Sequence, residues 1–189
     1  MKFLFAIIAI AVSIIALSCG PKKEPAPMSD VVVGQPYQEL DSTGMYYYNA
    51  GKLQWKLDSK HMKKVLADTG QVIANPVKLS VYDSLGKETS QVLSDSGSTD
   101  GPMKKFCVWG NVFVRAQNGV RVKSNKLNWD LNKHLVTSDD YVQLRTVNGD
   151  VLQGKGMEAA EDFSWWKFLH NVSGRFPNFK ERMDKGEGF

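Results

Sequence analysis

Apolar and polar residues alternate with a period of two along most of the chain from Met45 onward. This is the spacing of half-buried β-strands, since an amphipathic helix would repeat every 3.6 residues. The pattern therefore predicts an all-β fold. The clearest apolar sets are Val77, Leu79 and Val81; Val112, Val114 and Ala116; and Val142, Leu144 and Thr146.

Tight-turn signals separate these strands. Asn118-Gly119 and Asn148-Gly149 are dipeptides that readily adopt the positive φ angles of two-residue hairpins. A third signal ends at Gly86, where residues 83–86 read Asp-Ser-Leu-Gly. Turns this short join neighbouring strands, so the sequence predicts an antiparallel meander.

Residues 58–67 allow two interpretations. Met62, Val65 and Leu66 fit helical spacing behind a possible cap at Asp58 or Ser59. The segment is thus an exception to the period of two. The surrounding pattern favours a strand.

The N-terminus has the pattern of an export signal. Lys2 precedes an apolar run over residues 3–17 that is interrupted only by Ser13. A membrane-spanning helix needs about 20 apolar residues, whereas the core of a signal peptide needs roughly 7–15. We therefore expect residues 1–18 to be a lipoprotein signal peptide.

The end of this run resembles a bacterial lipobox, Ala16-Leu17-Ser18-Cys19, although Ala16 stands where Leu is usual. We expect acylation of Cys19. An uncleaved N-terminal anchor is the alternative, and either arrangement attaches the protein to a membrane from the exported side.

Composition also divides the chain. Residues 19–44 are rich in Pro and Gly and poor in large apolar residues, as is typical of a linker. We expect a lipid-anchored linker there and a β domain over residues 45–176. Residues 177–189 are charged and contain Gly, which predicts a mobile tail or a short helix.

Charge and cysteine content exclude some classes of protein. The net charge is +4, and the charges are scattered along the sequence, which argues against a nucleic-acid surface. Two cysteines exclude a disulfide framework. If Cys19 is acylated, Cys107 is a lone thiol, and we expect it to be buried and inert.

No pattern of catalytic or metal-binding residues stands out. His61, His134 and His170 lack the spacing of metal ligands, and Asp139-Asp140 between two strands indicates a turn. Nucleophile motifs such as Gly-x-Ser-x-Gly do not occur. The sequence predicts no enzyme, no metal and no cofactor.

Residues 149–156 match the spacing of a phosphate-binding loop, but Gly156 stands where a Ser or Thr would bind Mg²⁺. Gly149 also belongs to a hairpin signal, and the segment continues as an alternating strand. We expect Gly154 and Gly156 to mark a bulge or a close backbone approach.

The remaining chemistry is an apolar β surface with five Trp residues. Most of these rings must fill a core, and ordinary packing explains them. The sharper hypothesis is a curved, open sheet whose inward faces form a groove for a long apolar ligand. The alternative is an exported β-sandwich lipoprotein that binds glycan or protein partners through exposed aromatic residues.

Several short motifs follow one another between residues 53 and 174. They are Val81-Tyr82-Asp83-Ser84-Leu85-Gly86-Lys87, Val92-Leu93-Ser94-Asp95-Ser96-Gly97, Gly110-Asn111-Val112-Phe113-Val114, Asn118-Gly119, Leu127-Asn128-Trp129-Asp130, Gly154-Lys155-Gly156-Met157 and Asn171-Val172-Ser173-Gly174. In this order they resemble the LptC family, the membrane-anchored periplasmic components of the lipopolysaccharide export system. Each motif is common in β proteins, so the order carries the resemblance. Many members keep a transmembrane helix, whereas this chain looks lipidated.

The resemblance implies a stacked antiparallel β-jellyroll, open at both strand edges, whose apolar interior groove holds the acyl chains of lipopolysaccharide. It implies loading at the N-terminal edge by an inner-membrane ABC transporter and delivery at the C-terminal edge to a homologous periplasmic bridge protein. The protein would lie in the periplasm, anchored to the inner membrane. It would have no enzymatic activity of its own.

The alternation and the resemblance together assign residues to these roles. The candidate loading edge is Trp55, Lys56 and Leu57, and the candidate delivery edge is Phe168, Leu169, His170, Asn171 and Val172. The candidate lipid-binding positions are Val112, Val114, Val122, Leu127, Trp129, Val142, Leu144, Leu152 and Met157.

Overall fold

The computed structural model describes residues 36–66, 70–177 and 179–185. The expected signal peptide, Cys19 and most of the expected linker lie outside the described residues. The described chain is almost entirely β-strand, which confirms the predicted fold class. Its elements are β1 (Tyr37–Asn49), β2 (Lys52–Val65), β3 (Val72–Asn75), β4 (Val77–Tyr82), β5 (Glu88–Ser94), β6 (Ser96–Thr99), β7 (Lys105–Ala116), β8 (Arg121–Asp130), β9 (Leu135–Arg145), β10 (Val151–Ala160), β11 (Trp166–Arg175) and a short helix α1 (Phe179–Asp184).

The strands form an antiparallel stack in which several are bent in the middle. Pro76 separates β3 from β4, and both pair with β2, at residues 61–64 and 55–58 respectively. Asp95 likewise separates β5 from β6, and both pair with β7. Each of these pairs is therefore one long strand folded into two halves.

The other long strands bend at the same level. The register shifts between Trp109 and Val112 where β7 pairs with β8, and the φ angles of Gly110 and Asn111 are 75° and 48°. In β10 the register shifts beside Gly156, whose φ is 75°. These bulges turn each strand from one layer into the other.

The bends divide the domain into two halves, which we call arm A and arm B. Arm A comprises β3, β6 and residues 37–41, 61–65, 105–109, 126–130, 135–139, 156–160 and 166–170. Arm B comprises β4, β5 and residues 43–49, 52–58, 112–116, 121–124, 142–145, 151–154 and 172–175.

Buried serine hydroxyls satisfy backbone groups at the bends. Ser138 Oγ donates to the Lys126 carbonyl at 2.7 Å, and Ser94 Oγ donates to the Ser96 carbonyl at 2.9 Å. Ser59 Oγ donates to the carbonyl of His61 at 2.8 Å. A bend interrupts the strand ladder, and unpaired buried carbonyls are costly, so these serines stabilise the fold line.

The arms pack face to face over one apolar core. Trp55 of arm B meets Phe106 of arm A edge-on, with ring centroids 5.0 Å apart. Eight of the nine candidate lipid-binding side chains are buried in this core, and Leu152 is half-buried against it. The buried ones are Val112, Val114, Val122, Leu127, Trp129, Val142, Leu144 and Met157.

Packing leaves little free space between the arms. The enclosed cavity in the core has a volume of about 10 Å³. The predicted apolar interior is therefore present, but it is closed and filled by its own side chains rather than open as a groove.

The first strand corrects the expected linker boundary. β1 begins at Tyr37, so residues 37–44 are strand and not linker. They pair with β2 from Tyr37 opposite Val65 onward. The sequence concealed this because most of β1 faces solvent, which gives it the polar composition of a loop.

Three further expectations have clear outcomes. Residues 58–65 belong to β2, so the strand interpretation is confirmed and the helical one is wrong. Cys107 is half-buried on the outer face, because its neighbours Phe106 and Val108 occupy the inner face of β7. Asp139-Asp140 lies within β9 at its bend and is not a turn.

The C-terminal segment contains a helix held by a buried ion pair. Arg182 of α1 donates two hydrogen bonds to the Asp150 carboxylate, at 2.9 and 2.6 Å. Asp150 lies in the turn between β9 and β10 and is 3% exposed. The short-helix alternative for the tail is therefore correct over Phe179–Asp184.

Candidate functional site

The two long sides of the sandwich differ. On one side the strands bend from arm to arm, and on the other the ends of the arms face each other across an opening, which we call the mouth. Part of the mouth is a cleft of about 360 Å³. It is lined by Tyr47, Asn49, Gln54, Val81 and Tyr82 of arm B and by Lys104, Leu131, Asn132, His134 and Glu161 at the end of arm A.

The rest of the mouth is closed by the turn between β10 and β11, residues 161–165, which we call the strap. The strap leaves arm A and reaches the tip of arm B, where Asn118 Nδ2 donates to the carbonyls of Phe163 at 2.9 Å and Asp162 at 3.3 Å. Ser90 Oγ of arm B donates to the Glu161 carbonyl at 3.4 Å. The strap thus joins the two arms.

Phe163 is the apolar part of the strap. Its side chain is 2% exposed, and its φ of 55° is a conformation that large side chains rarely adopt. The residue lies among apolar side chains of both arms, including Val114 and Val136. The backbone geometry therefore turns the ring of Phe163 inward, whereas Trp165 of the same turn is 49% exposed.

Glu161 fastens the strap to arm A. Its carboxylate lies 2.8 Å from His134 Nδ1 and accepts a hydrogen bond from the Trp129 indole at 3.4 Å. Its backbone N–H donates to the His134 carbonyl at 3.2 Å. These contacts fix the point from which the strap crosses the mouth.

The core cavity behind the mouth is chemically uniform. The side chains around the core cavity are all apolar, so they can solvate hydrocarbon but offer no group for acid–base or nucleophilic chemistry. They are Leu79, Val92, Val108, Val114, Leu127, Trp129, Val136 and Phe163.

Titratable residues do not form a second site in the part of the chain that the structure describes. No three His, Cys, Asp or Glu side chains lie together as metal ligands would among those residues. His61 pairs with Asp41 at 2.8 Å on the surface, far in sequence from the His134 pair. Burial raises the pKa of the Cys107 thiol, which lowers its reactivity.

The glycines of β10 have the structural role that the sequence predicts. Gly156 lies at a bulge with positive φ. A Cβ on Gly154 would lie 3.0 Å from both the His170 carbonyl and the Phe168 ring. Residues 149–156 thus form a hairpin turn and a bulged strand, not a strand-to-helix phosphate loop.

The candidate edges differ in outcome. Trp55 and Leu57 are 1% and 3% exposed, and β2 is paired on both sides, so residues 55–57 do not lie at a sheet edge. Lys56 is half-buried and pairs with Asp58. Among the strands that the structure describes, the N-terminal edge is β1, whose first residues were expected to be linker.

At the other end, β11 pairs with β10 and forms the C-terminal edge among the described strands. The residues of the candidate delivery edge lie on it, and Leu169 and Val172 are 38% and 56% exposed. Their role in delivery remains a prediction.

The sequence did not predict the strap. Asn118 was visible as a turn residue, but its bonds to residues 162 and 163 connect positions 44 and 45 residues apart. The available signal was Phe163, a large apolar residue between the polar residues Asp162 and Ser164. Taken alone, one such residue does not distinguish a buried ring from an exposed one.

Comparison with known proteins gives a family match and several matches among solved structures. The family model described as "Lipopolysaccharide-assembly, LptC-related" matches residues 3–176. The crystal structure of LptH, described as the LptA homologous periplasmic component of the lipopolysaccharide transport device from Pseudomonas aeruginosa, matches with a TM-score of 0.47 and 7% identity. The match covers 75% of this chain and 95% of that one. Curated protein sequences give no match.

The match of the family model runs from the apolar N-terminal segment to the end of β11. Within the described ranges, none of the helical structure is both long and apolar enough to cross a membrane. The family model covers far more than half of the sequence. The chain therefore belongs to the LptC family, as a periplasmic, inner-membrane-associated and non-enzymatic component of lipopolysaccharide transport.

Proposed function

We propose that the protein binds the acyl chains of lipopolysaccharide between the inner faces of arms A and B. The observation that carries this proposal is a core cavity lined entirely by apolar side chains, beside a mouth that the strap partly closes. Each CH₂ group that is exposed to water costs about 0.8 kcal/mol, so a carrier of acyl chains needs apolar surface and no catalytic group. Val122, Val142 and Leu144, each 0% exposed, lie at the centre of that surface.

Lipid entry requires the arms to part. An acyl chain is far larger than the cavity of about 10 Å³, and a packed core does not yield space by compression. Parting the arms at the mouth should cost less free energy than parting them at the bend. At the mouth, the strap joins the arms through three hydrogen bonds and the ring of Phe163, whereas continuous strands join them at the bend. We propose that the strap moves outward and that acyl chains replace the contacts of this ring.

The sheet edges are the proposed contact points with other transport components. Among the described strands, β1 pairs only with β2 and β11 only with β10, so each has an outer side without a neighbouring strand, which supports strand addition by a partner. We propose β1, in place of residues 55–57, as the edge that meets the inner-membrane ABC transporter. The C-terminal edge would pass lipid to a homologous bridge protein through residues 168–172.

The anchor is a separate proposal. We infer that residues 1–18 are cleaved and that Cys19 carries the lipid. Labelled palmitate should enter the protein and be lost in Cys19→Ser, whereas Cys107→Ser should keep the label. Label that persists in Cys19→Ser, or a protein whose mass includes the first 18 residues, would support the uncleaved anchor instead.

Site-specific cross-linking tests the lipid-binding proposal. A photo-reactive amino acid replaces Leu144 on the inner face or Gln143, its exposed neighbour, in cells that make lipopolysaccharide. The expected result is an ATP-dependent lipid adduct at position 144 and none at position 143. If neither position captures lipid while the protein is folded and exported, a lipoprotein that binds glycan or protein partners becomes the better interpretation.

A further inference from the structure

The tip of arm B carries a row of exposed arginines on its outer face. We call this row the arginine rim, and it consists of Arg115, Arg121, Arg145 and Arg175. In the strand register, Arg121 stands opposite both Arg115 and Arg145. Val151 stands opposite both Arg145 and Arg175, so the row continues across β10.

This arrangement is unfavourable for folding. Like charges directly opposite each other on neighbouring strands destabilise a sheet, because such strands lie only about 4.8 Å apart. None of the rim arginines forms an ion pair with another of the residues that the structure describes. Ion pairing within the described chain therefore does not offset the repulsion between these charges.

The chemistry beside the rim adds to its cationic character. Lys123 lies one row closer to the bend, and the ring of Phe113 stands 5.2 Å from the guanidinium of Arg115 and 6.0 Å from the ammonium of Lys123. A surface cleft of about 230 Å³ opens between these side chains. It is lined by Phe113, Arg121, Lys123, Gln143 and Arg145.

Lysines on the β1–β2 side of the sheet, unlike the rim arginines, form ion pairs with carboxylates. Lys56 pairs with Asp58 at 3.0 Å, and Lys63 pairs with Glu39 at 3.0 Å. The whole chain has a net charge of only +4. The rim is thus a local excess of positive charge, which a ligand of opposite charge would offset.

The rim also borders the mouth. Arg115 and Arg121 flank the turn that contains Asn118, and Asn118 binds the strap through Phe163 and Asp162. A lipid whose acyl chains lie between the arms would leave its polar head at this opening. The head would then lie beside the arginines.

We propose that the arginine rim binds phosphate groups on the saccharide head of the lipid whose acyl chains enter at the mouth. This proposal rests on the proposed function and adds its head-group specificity. Guanidinium groups bind phosphate oxygens in pairs of parallel hydrogen bonds, and several in a row can engage a head with more than one phosphate.

Binding of two matched lipids to the full-length chain in detergent tests the proposal. The probes are lipid A with both phosphates and the same lipid A after enzymatic dephosphorylation. The variant R115Q/R121Q/R145Q removes rim charge, and K105Q/K126Q/K133Q removes equal charge from exposed positions of arm A and its end. The rim variant should bind phosphorylated lipid A about tenfold or more weakly. Its binding of dephosphorylated lipid A, and all binding by the control variant, should stay unchanged.

A stability measurement accompanies the binding data. Because neighbouring rim charges repel, the rim variant should unfold at the same or a higher temperature than the unchanged protein. Weaker binding together with a lower unfolding temperature would mean damage to the fold and would overturn the proposal.

Four further outcomes would overturn it. Unchanged binding of phosphorylated lipid A by the rim variant, or an equal loss of binding in the arm A control, would exclude the rim as the phosphate-binding site. Neither result would contradict the binding of acyl chains between the arms. Phosphatidylglycerol that competes with phosphorylated lipid A on equal terms would show recognition of membrane charge instead. If the unchanged protein binds neither form of lipid A, the proposed function fails together with the rim.

Discussion

The bend and the mouth close the same sandwich by different means. At the bend, covalent backbone runs from arm to arm, and buried hydroxyls such as that of Ser138 satisfy the interrupted ladder. At the mouth, Ser90 and Asn118 of arm B donate the hydrogen bonds that hold the strap across the opening, within the part of the chain that the structure describes. The bend is therefore a permanent fold line, whereas the mouth is closed by contacts that can separate without breaking a strand.

A covalent lock across the mouth should have the largest effect. Cysteines at Asn118 and Asp162, in a Cys107→Ser background, would be joined by a short cleavable cross-linker, because the Asn118 amide lies 3.3 Å from the Asp162 carbonyl. We expect the locked protein to capture essentially no lipid in the Leu144 cross-linking assay and to recover when the linker is cleaved.

The control for this lock is a cross-link that stays within one arm. Asn128 and Thr137 are opposite each other on β8 and β9 of arm A, so joining cysteines at these positions leaves the mouth free. Lipid capture by the protein locked at the mouth would show that the strap does not have to move, and the contrast between mouth and bend would lose its functional meaning.

Removing the ring of Phe163 should have the next largest effect. Phe163→Ala deletes a side chain that is 2% exposed, and truncation of a buried Phe typically costs about 3–5 kcal/mol. The same change should speed the uptake of a fluorescent fatty acid, because the mouth loses its apolar stopper. Denaturant unfolding and stopped-flow fluorescence measure the two effects.

The strap supplies its own control for that variant. Trp165 is a large aromatic residue two positions away and is 49% exposed. Trp165→Ala should change stability by less than about 1 kcal/mol and leave the uptake rate unchanged. Equal acceleration by both variants would mean that disturbing the strap anywhere opens the mouth, and Phe163 would not be its stopper.

A substitution at the bend should cost stability without opening the mouth. Ser138 is 1% exposed, donates to the Lys126 carbonyl and accepts from the Asp140 N–H at 3.1 Å. Ser138→Ala leaves these part-buried backbone groups without the hydroxyl and should cost about 1–2 kcal/mol. Ser84→Ala, in an exposed turn, is the neutral reference.

The uptake rate decides what the bend variant means. Ser138→Ala should take up the fluorescent fatty acid at the rate of the unchanged protein, even though it is less stable. Faster uptake in proportion to lost stability would show that general loosening, and not release of the mouth, admits lipid.

The sequence predicted the strands and most of their facing residues for a simple reason. In a sheet with one buried face, alternation reports orientation directly, so Val142 and Leu144 could be assigned inward from their spacing alone. Asn118-Gly119 and Asn148-Gly149 marked hairpins because their conformational preference is local.

What sequence reasoning missed depends on partners that are distant along the chain. Gly156 marked one bend locally, because a glycine within a strand is typical of a bulge. Asp95 and Ser138, which lie at other bends, are polar residues without such a local signal. The Ser90 contact with the strap spans 71 residues. β1 was hidden because its residues from Tyr37 onward depend on pairing with β2 rather than on burial.

The smallest expected effect is on the alkylation rate of the Cys107 thiol, which reports whether the outer face of arm A keeps its structure. Desolvation raises the pKa of this thiol above its usual value, and the charge of Lys126 only partly offsets this. At pH 8 the thiolate fraction is therefore lower than in a free cysteine, and alkylation by iodoacetamide should be slower. The alkylation rate should keep rising with pH where that of a free thiol has levelled off.

Because Cys107 faces outward on arm A, Phe163→Ala should leave this rate profile unchanged. A profile that shifts to that of a free cysteine in Phe163→Ala would mean that arm A itself unfolds, and that the mouth does not open alone.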